Sequence, residues 1–398
     1  MVQTGLEVLV GEKLGQLRGR RVGVLCHPAS VDVQLVHIVD TLAAAKVDLA
    51  RLFGPEHGIR GEAQDMVGVE GARDGRTGIP VTSLYGNRIE SLAPSAQDLA
   101  DIDVLVVDLQ DVGSRHYTFI WTMALCMERA AAAGISVLVL DRPNPLGGLA
   151  IEGGEVLPWA ESFVGLASIP VRHGLTIGEV ARLICAGIPW GGPRFAKPLD
   201  CDVQVIAMRG WQRRDHFEAT GLPWVLPSPN MPTVATALVY PGTCLVEGTN
   251  VSEGRGTTKP FEIIGAPFVD GYRLAACLED KRLAGVRFRP LSFRPTFHKF
   301  AGQVCGGVQV HVVDRRGFRP YLTGVAILCA LRAVAPDQFR WRTEKYEFVS
   351  DRPAIDLLTG GDAVRLGVDA GAGPAEIAST WRAAEAAFAE RRRPVLMY

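Results

Sequence analysis

The sequence has no dominant charge, and this absence removes support for one class of partner. Lys and Arg number 42 against 43 Asp and Glu, which gives a formal net charge of −1. Domains that bind nucleic acid through a broad surface usually carry a clear basic excess. The composition therefore gives no support to a nucleic-acid partner, although it leaves room for a local basic pocket.

Long apolar runs and export signals are also missing. Apolar runs such as VLVVDLQ and ISVLVLD fall well short of the roughly 20 residues that span a membrane. The N-terminal stretch lacks the charged and apolar segments of a secretory signal. The 8 cysteines are scattered without a CxxC pair, which is typical of reduced, buried thiols. We therefore expect a soluble, cytoplasmic protein without membrane contact.

Several motifs that hold cofactors or nucleophiles are absent as well. No G-x-G-x-x-G follows the first strand-like run, and the phosphate-binding G-x-x-x-x-G-K-[ST] does not occur. The serine-hydrolase G-x-S-x-G and the zinc-binding H-E-x-x-H are missing too. We therefore expect neither a cofactor nor a metal.

What the first half does contain is an alternation of strand-like and helical patterns. Apolar runs such as RRVGVLC, VDLARLFG and DVLVVDLQ alternate with helical stretches such as VHIVDTLAAAK and TFIWTMALCMERAAAAG. Strands that are apolar throughout and separated by helices are typical of a parallel sheet covered on both faces. The pattern predicts an α/β fold with a Rossmann-like, doubly wound parallel sheet.

The second half has a different pattern. The proline-rich stretch TGLPWVLPSPNMPT, residues 220–233, excludes a regular helix or central strand and indicates a connection between domains. Beyond it, strand-like runs and helices precede a single predicted C-terminal helix, PAEIASTWRAAEAAFAERRRP. We predict a Rossmann-like domain over residues 1–225 that carries catalytic loops. A smaller α+β domain over residues 226–398 would complete the cleft.

Four polar clusters each follow an apolar run: CHPAS, GPEHGIRGE, DLQDVGSRHY and DRPNP. In an open parallel sheet, ligands bind outside the carboxyl ends of the strands. We therefore expect these four clusters to meet at one edge of the sheet, although they lie far apart in the sequence.

Two of the polar stretches have the composition of an active site. PEHGIRGE offers Glu56, His57, Arg60 and Glu62, which can supply acid, base and anion-binding groups. GTNVSEGRGTTKPFE, with Glu253 beside a Gly-Arg-Gly turn, has the dense donors and acceptors that suit a polyhydroxylated ligand. The alternatives are a surface ion pair with a helix cap in the first stretch and an ordinary solvated loop in the second.

Other polar groups admit structural as well as functional readings. Asp108 can cap a helix or pair with Arg115. His173 precedes a glycine and can contact a ligand, whereas Thr176 and Glu179 have the spacing of a capping box.

Long motifs in order resemble one family. LFGPEHGIRGE, VDLQDVGSRHYTFIWTM, LDRPNPLGG, RHGLTIGE, TGLPWVLPSPNMPT and ALVYPGTCLVEGTNVSEGRGTTKPFEIIGAP are similar to motifs of the NamZ family, once a domain of unknown function. The resemblance extends from about residue 20 to about residue 325. It implies an exo-β-N-acetylmuramidase that removes terminal N-acetylmuramic acid from peptidoglycan fragments. It also implies a Rossmann-like domain, a smaller domain, and an active site between them.

The resemblance places the acid/base catalyst of the family at Glu56. Glu62 and Glu253 are the candidates for a second catalytic group, and the resemblance does not choose between them. The lactyl carboxylate of muramic acid suits an arginine fork, for which the candidates are Arg60, then Arg255, with Arg115 also considered. The full set of expected substrate contacts is His57, Arg60, Gln110, Asp111, Arg115, Asn144, His173, Asn230, Asn250 and Arg255.

The expected substrates are disaccharides or muropeptides that contain N-acetylmuramic acid. The alternative is a protein that binds or senses such fragments on the same scaffold without turnover, because fold alone does not separate the two. The sequence leaves open the stereochemical course, the tolerance of the peptide stem and the oligomeric state. A 2-acetamido group acting as nucleophile would leave the enzyme to supply one acid/base and an orienting carboxylate.

Overall fold

The computed structural model describes residues 1–59, 73–190 and 194–398. Within them, the larger sheet has six strands in the order β3-β2-β1-β4-β5-β6, and every neighbouring pair is parallel. The strands are β1 (Arg21–Cys26), β2 (Asp48–Gly54), β3 (Val81–Ser83), β4 (Val104–Asp108), β5 (Ser136–Leu140) and β6 (Val203–Ile206). This strand order is that of the Rossmann fold. The predicted fold class is confirmed.

Alternate residues of the central strands pack into two different cores, which is why these strands are apolar throughout. Val22 and Val24 of β1 belong to one core, and Leu25 belongs to the other. In β4, Val106 and Val107 divide in the same way. Because both faces are covered, the middle positions of these strands leave no room for a polar side chain. Polar groups therefore collect in the loops beyond the strand ends.

The helices of the first half connect the strands of this sheet. They are α1 (Gly5–Val8), α2 (Ile38–Ala44), α3 (Ala96–Leu99), α4 (Phe119–Ala132) and α5 (Ile177–Ala186). Helix α5 begins at a capping box in which Thr176 and Glu179 bind each other's backbone, as the sequence predicts. Residues 221–233 form neither helix nor strand, as their prolines predict, and their role as a connection between domains stays a prediction.

The second half builds a smaller antiparallel sheet, in the order β7-β9-β8, from β7 (Ile263–Ala266), β8 (Val286–Phe293) and β9 (Cys305–Val312). Its helices are α6 (Val234–Thr243), α7 (Gly271–Glu279), α8 (Pro320–Val334), α9 (Ala354–Thr359), α10 (Ala363–Asp369), α11 (Pro374–Ser379) and α12 (Arg382–Arg391). One hydrophobic core runs from α4 and α5 through α8 to this sheet. The shared core holds the two halves against each other.

The predicted single C-terminal helix is wrong, because the chain breaks it into α11 and α12. The break lies at Thr380 and Trp381. Trp381 is buried, and its ring packs edge-on against Tyr321 of α8 with the centroids 5.0 Å apart. The helix is interrupted where this ring packs against α8, and the neighbouring sequence contains no signal of that contact. The domain boundary between residues 225 and 226 stays a prediction.

Candidate active site

Loops from the carboxyl ends of several parallel strands meet at one edge of the larger sheet, called the sheet edge below. After β4, the Gln110 N–H donates to Nε2 of His27, which follows β1, at 2.8 Å. The Gln110 amide also donates to the Pro143 carbonyl, beyond β5, at 2.9 Å. Arg142 binds both carboxylate oxygens of Asp108 at 2.5 and 2.8 Å. The predicted convergence of these loops is confirmed.

A pocket lies at the sheet edge, and both halves of the chain line it. The first half contributes the loop after β2 and the start of α4. The connection and the second half contribute the remaining wall. Among the described residues, the lining consists of Glu56, His57, His116, Tyr117, Thr118, Phe119, Val164, Ser228, Asn230, Met231, Tyr240, Glu247, Arg255, Phe261, Tyr346 and Glu347.

Glu56 is held in this pocket by the turn that follows β2. It is buried, and the Thr118 hydroxyl at the start of α4 donates to its Oε2 at 3.0 Å. His57 and Gly58 follow with φ values of 74° and 78°, in the left-handed region that favours glycine. Gly54 allows this tight turn, since a Cβ there would lie 2.9 Å from the Ile59 nitrogen. The strand thus ends in a turn that places a carboxyl group in the pocket.

The opposite wall contains a group of ion pairs, called the ionic cluster below. Arg255 donates to Glu247 at 2.6 Å, and its Nε lies 3.3 Å from Glu253. His298 and Lys299 lie 3.2 and 3.0 Å from the two oxygens of Glu253. The Arg255 guanidinium also lies over a ring of the pocket wall, Phe261, at 4.9 Å. These contacts fix the guanidinium in one place.

The two acids of the ionic cluster have different positions. Glu247 lines the pocket and accepts a second hydrogen bond, from the Tyr346 hydroxyl at 2.7 Å. Glu253 is fully buried and is not among the described residues that line the pocket. Burial alone would raise the pKa of Glu253, but Lys299, His298 and Arg255 together hold it well below its ordinary value. Glu253 is therefore an ionised anchor for the cations around it.

The sheet edge is electrostatically different: apart from the paired charges of Asp108 and Arg142, several of its buried groups have pKa values shifted toward the neutral form. Burial lowers the pKa of His27, His116 and His173 to about 3. Burial raises the pKa of Asp111 to about 7, although the backbone N–H groups of Gly113 and Val112 act in the other direction. The pocket thus lies between a largely neutral edge and an ionic wall.

The described residues contain no group of three or more His, Cys, Asp or Glu side chains arranged to hold a metal ion. In the same part of the chain, no helix has the length and apolar character needed to cross a membrane.

Comparison with known proteins identifies the family. The N-terminal model of exo-beta-N-acetylmuramidase NamZ matches residues 22–235, and its C-terminal model matches residues 238–398. The chain belongs to the NamZ family. It is 44% identical over 398 residues to the peptidoglycan beta-N-acetylmuramidase NamZ of Bacillus subtilis (strain 168), covering 100% of this chain and 91% of that protein.

Two crystal structures of DUF1343 family proteins from Bacteroides fragilis NCTC 9343 have the same fold as this NamZ family member. One is 34% identical with a TM-score of 0.87, and the other is 28% identical with a TM-score of 0.78. Each comparison covers 100% of this chain and 99% of the other chain.

In this NamZ family member, four of the residues predicted from the sequence line the pocket together: Glu56, His57, Asn230 and Arg255. Two further predicted residues, Arg60 and Glu62, lie outside the described residues. The roles assigned to all six stay predictions.

Other predicted contacts lie below the pocket in hydrogen bonds of the sheet edge. Gln110 binds the neighbouring loops as described above. Asn144 donates to the Leu175 carbonyl at 2.8 Å. Asp111 accepts from the Gly113 N–H at 2.6 Å, and its Oδ2 lies 3.7 Å from Nε2 of His173. In these positions Gln110, Asp111, Asn144 and His173 order the loops, and their contact with substrate stays a prediction.

Arg115 and Asn250 have structural partners as well. Arg115 is fully buried and donates to the carbonyls of Gly154, Ile169 and Leu358, which joins its loop to the second half. The Asn250 amide donates to the Gln338 carbonyl at 2.8 Å and accepts from the Arg340 N–H at 2.9 Å. The geometry does not favour Arg115 as the residue that binds the lactyl carboxylate, and contact of Asn250 with substrate stays a prediction.

The sequence reasoning did not find Glu247, Tyr346 and Glu347. Glu247 ends an apolar stretch, CLVEG, just before the polar cluster that the reasoning selected. Tyr346 and Glu347 lie in TEKYEFVS, which has no glycine or proline to mark a turn. The one available signal was the proximity of Glu247 to the GTNVSEGRG cluster.

Proposed function

We propose that this chain hydrolyses the glycosidic bond of a terminal N-acetylmuramic acid in peptidoglycan fragments, with Glu56 as the general acid. Family membership supports the reaction. The observation that carries the assignment of Glu56 is its position in the pocket, where the Thr118 hydroxyl donates to its carboxyl group and Arg255 of the ionic cluster lines the same pocket. The substrates would be disaccharides or muropeptides that contain N-acetylmuramic acid. The cytoplasmic location stays a prediction from the sequence.

The reaction needs a proton donor at the glycosidic oxygen. The Glu56 proton passes to that oxygen while its bond to C1 breaks and the bonding electron pair leaves with the oxygen. C1 and the ring oxygen then share a positive charge. The oxygen of a water molecule bonds to C1, and a proton released from that water ultimately restores the carboxyl group of Glu56.

Specificity for muramic acid requires a group that recognises the lactyl carboxylate. Arg255 is the arginine that lines the pocket in the described part of the chain. Its guanidinium is fixed by Glu247, by Glu253 and by the Phe261 ring, so little side-chain freedom is lost when an anion binds. Lys299 adds a second cation to the same cluster and partly offsets the two carboxylates. This arrangement supports Arg255 as the residue that binds the lactyl carboxylate.

The test is the release of product from a chromogenic β-N-acetylmuraminide, measured beside the matching β-N-acetylglucosaminide. We expect cleavage of the muraminide alone. On a disaccharide with a terminal N-acetylmuramic acid, whose leaving oxygen is basic, Glu56→Gln should lower the rate by about 100- to 10,000-fold, because general acid catalysis contributes that much. Binding of N-acetylmuramic acid to Glu56→Gln, followed by calorimetry, should persist.

The same experiment separates the alternative function. If the wild-type chain binds N-acetylmuramic acid but cleaves neither substrate, the chain is a sensing or binding protein on the NamZ scaffold. If Glu56→Gln cleaves the disaccharide as fast as the wild type, Glu56 is not the acid.

A further inference from the structure

Part of the backbone strain of the described chain lies at the pocket. Non-glycine residues in the left-handed region cost roughly 1–2 kcal/mol each, and they persist where the surrounding structure holds them. Among the described residues, three that line the pocket have this conformation: His57, Phe261 and Glu347, with φ values of 74°, 61° and 43°. His57 and Phe261 adjoin Glu56 and Arg255, respectively. Glu347 has no role in the proposed reaction so far.

Glu347 lies in an unusual two-residue turn. Tyr346 and Val349 exchange backbone hydrogen bonds of 2.9 Å in both directions, and the residues between them, Glu347 and Phe348, both have positive φ. Tight turns with two positive φ values normally contain Asn-Gly or Gly-Gly, because other side chains are strained there. Here the chain accepts the strain at both positions. The result is that Glu347 is buried at the pocket with 7% of its surface exposed.

Glu247 and Glu253, two other acidic residues of the second half, belong to the ionic cluster. Both oxygens of Glu247 are taken by short hydrogen bonds, from Arg255 at 2.6 Å and Tyr346 at 2.7 Å. Glu253 lies behind Arg255 and is surrounded by three cationic or basic side chains. Their charges are used to fix the ionic cluster.

Glu347 and Glu56 come from different halves of the chain, although both line the pocket. Glu56 follows β2 of the larger sheet, whereas Glu347 comes from the segment between α8 and α9. The Tyr85 hydroxyl lies 3.4 Å from Oε2 of Glu347, so the turn meets the first half at this point. A glycosidase needs two functional carboxyl groups, or one with an orienting partner, on different sides of the bond that breaks.

We propose that Glu347 is the second catalytic carboxylate of this pocket. This inference rests on the proposed function and assigns the second catalytic group that acts with Glu56. Glu347 acts in its ionised form and stabilises the positive charge that develops on C1 and the ring oxygen while Glu56 protonates the departing oxygen. The strained turn holds the carboxylate in place before the substrate arrives, so no reorganisation is needed during the reaction.

Glu347→Gln tests this role, since it removes the charge and keeps the shape and the turn. On the chromogenic muraminide we expect kcat to fall by about 100-fold or more. The acid limb of the pH–rate profile, which reports the ionisation of this carboxylate, should disappear. The melting temperature and the affinity for N-acetylmuramic acid should stay close to wild type. Glu344→Gln, an exposed glutamate of the same segment, is the matched control and should keep the wild-type rate and profile.

Glu347→Asp covers the case in which the glutamine variant does not fold. It keeps the charge but withdraws the carboxylate, so kcat should fall while the acid limb remains. The inference is overturned if Glu347→Gln keeps a wild-type kcat, or loses kcat and keeps the acid limb, or loses only affinity. If the wild-type chain itself cleaves no muraminide, the proposed function fails, and this inference fails with it. Cleavage by both wild type and Glu347→Gln removes only the inference.

Discussion

Two buried carboxylates, Asp111 and Glu253, show how differently the two sides of the pocket are built. Asp111 at the sheet edge accepts a backbone hydrogen bond from Gly113, and burial raises its pKa to about 7. Glu253 is equally buried, yet Lys299, His298 and Arg255 hold its pKa well below its ordinary value. Burial alone therefore does not decide whether an acid in this pocket is charged; the number of cations within reach does.

This contrast has a consequence for the reaction. A parallel sheet covered on both faces offers loops rich in backbone donors, which suit neutral groups and proton transfer. The second half supplies fixed charges, which suit the recognition of an anionic sugar. Glu56 lies on the first side, and Arg255 lies on the second. The contrast can be tested by changing the charge on each side.

The largest expected effect comes from removing the anchor of the ionic cluster. Glu253→Gln removes the carboxylate that pairs with Lys299, while Arg255 keeps only Glu247, and the loss of such a buried partner costs about 3–5 kcal/mol of unfolding free energy. Chemical denaturation measures this loss of unfolding free energy. Glu262→Gln is the control, because Glu262 is also buried but pairs with one half-exposed lysine, Lys259, and should lose less. Equal losses in the two variants would contradict the special role of Glu253.

The next largest effect is a gain in stability at high pH on replacing Asp111. Because the folded pKa of Asp111 is raised from 3.8 to about 7, the native state binds more protons than the unfolded state between these values. Stability therefore falls as pH rises through this window. Asp111→Asn should be more stable than wild type by an amount on the order of 2–4 kcal/mol above about pH 7.

Thermal unfolding of wild type and Asp111→Asn at several pH values measures this difference, which should vanish below about pH 4. A wild-type chain whose stability rises through the same window would show that Asp111 is ionised and paired.

The smallest expected effect comes from removing the Tyr346 hydroxyl, which orients Glu247. Tyr346→Phe removes its 2.7 Å hydrogen bond to that carboxylate, which is worth about 1.5–3 kcal/mol when the acceptor is charged. We expect KM for the muraminide to rise with little change in kcat, because Glu247 positions Arg255. Tyr85→Phe, whose hydroxyl lies 3.4 Å from Glu347, should change KM less. A larger rise in KM for Tyr85→Phe than for Tyr346→Phe would contradict the role of Tyr346 in positioning the ionic cluster.

The sequence was sufficient for the larger sheet because its signal is local. Strands such as Val104–Asp108 are apolar at every position before the last, and the capping box of α5 is visible as Thr176 and Glu179. The break between α11 and α12 was not visible, since it coincides with the packing of Trp381 against Tyr321, 60 residues earlier in the chain. Local periodicity carries no information about such a partner.

The sequence likewise predicted only part of the candidate site. Glu56 stands in a glycine-flanked polar loop after a strand, so its position at the sheet edge follows from topology. Glu247 and Glu347 become recognisable only when the chain brings Arg255, Tyr346 and the first half together. Asn250 shows the converse, because its polar neighbourhood suggested a ligand, whereas its amide binds the backbone of residues 338–340.

The most direct test of the account is the dependence of the Glu56→Gln defect on the leaving group. A general acid matters when the departing oxygen is basic, as in a disaccharide that releases N-acetylglucosamine, and matters little for dinitrophenolate. We predict that Glu56→Gln loses about 100- to 10,000-fold in rate on the disaccharide and cleaves the dinitrophenyl muraminide at close to the wild-type rate. An equal loss on both substrates would contradict the role of Glu56 as the proton donor.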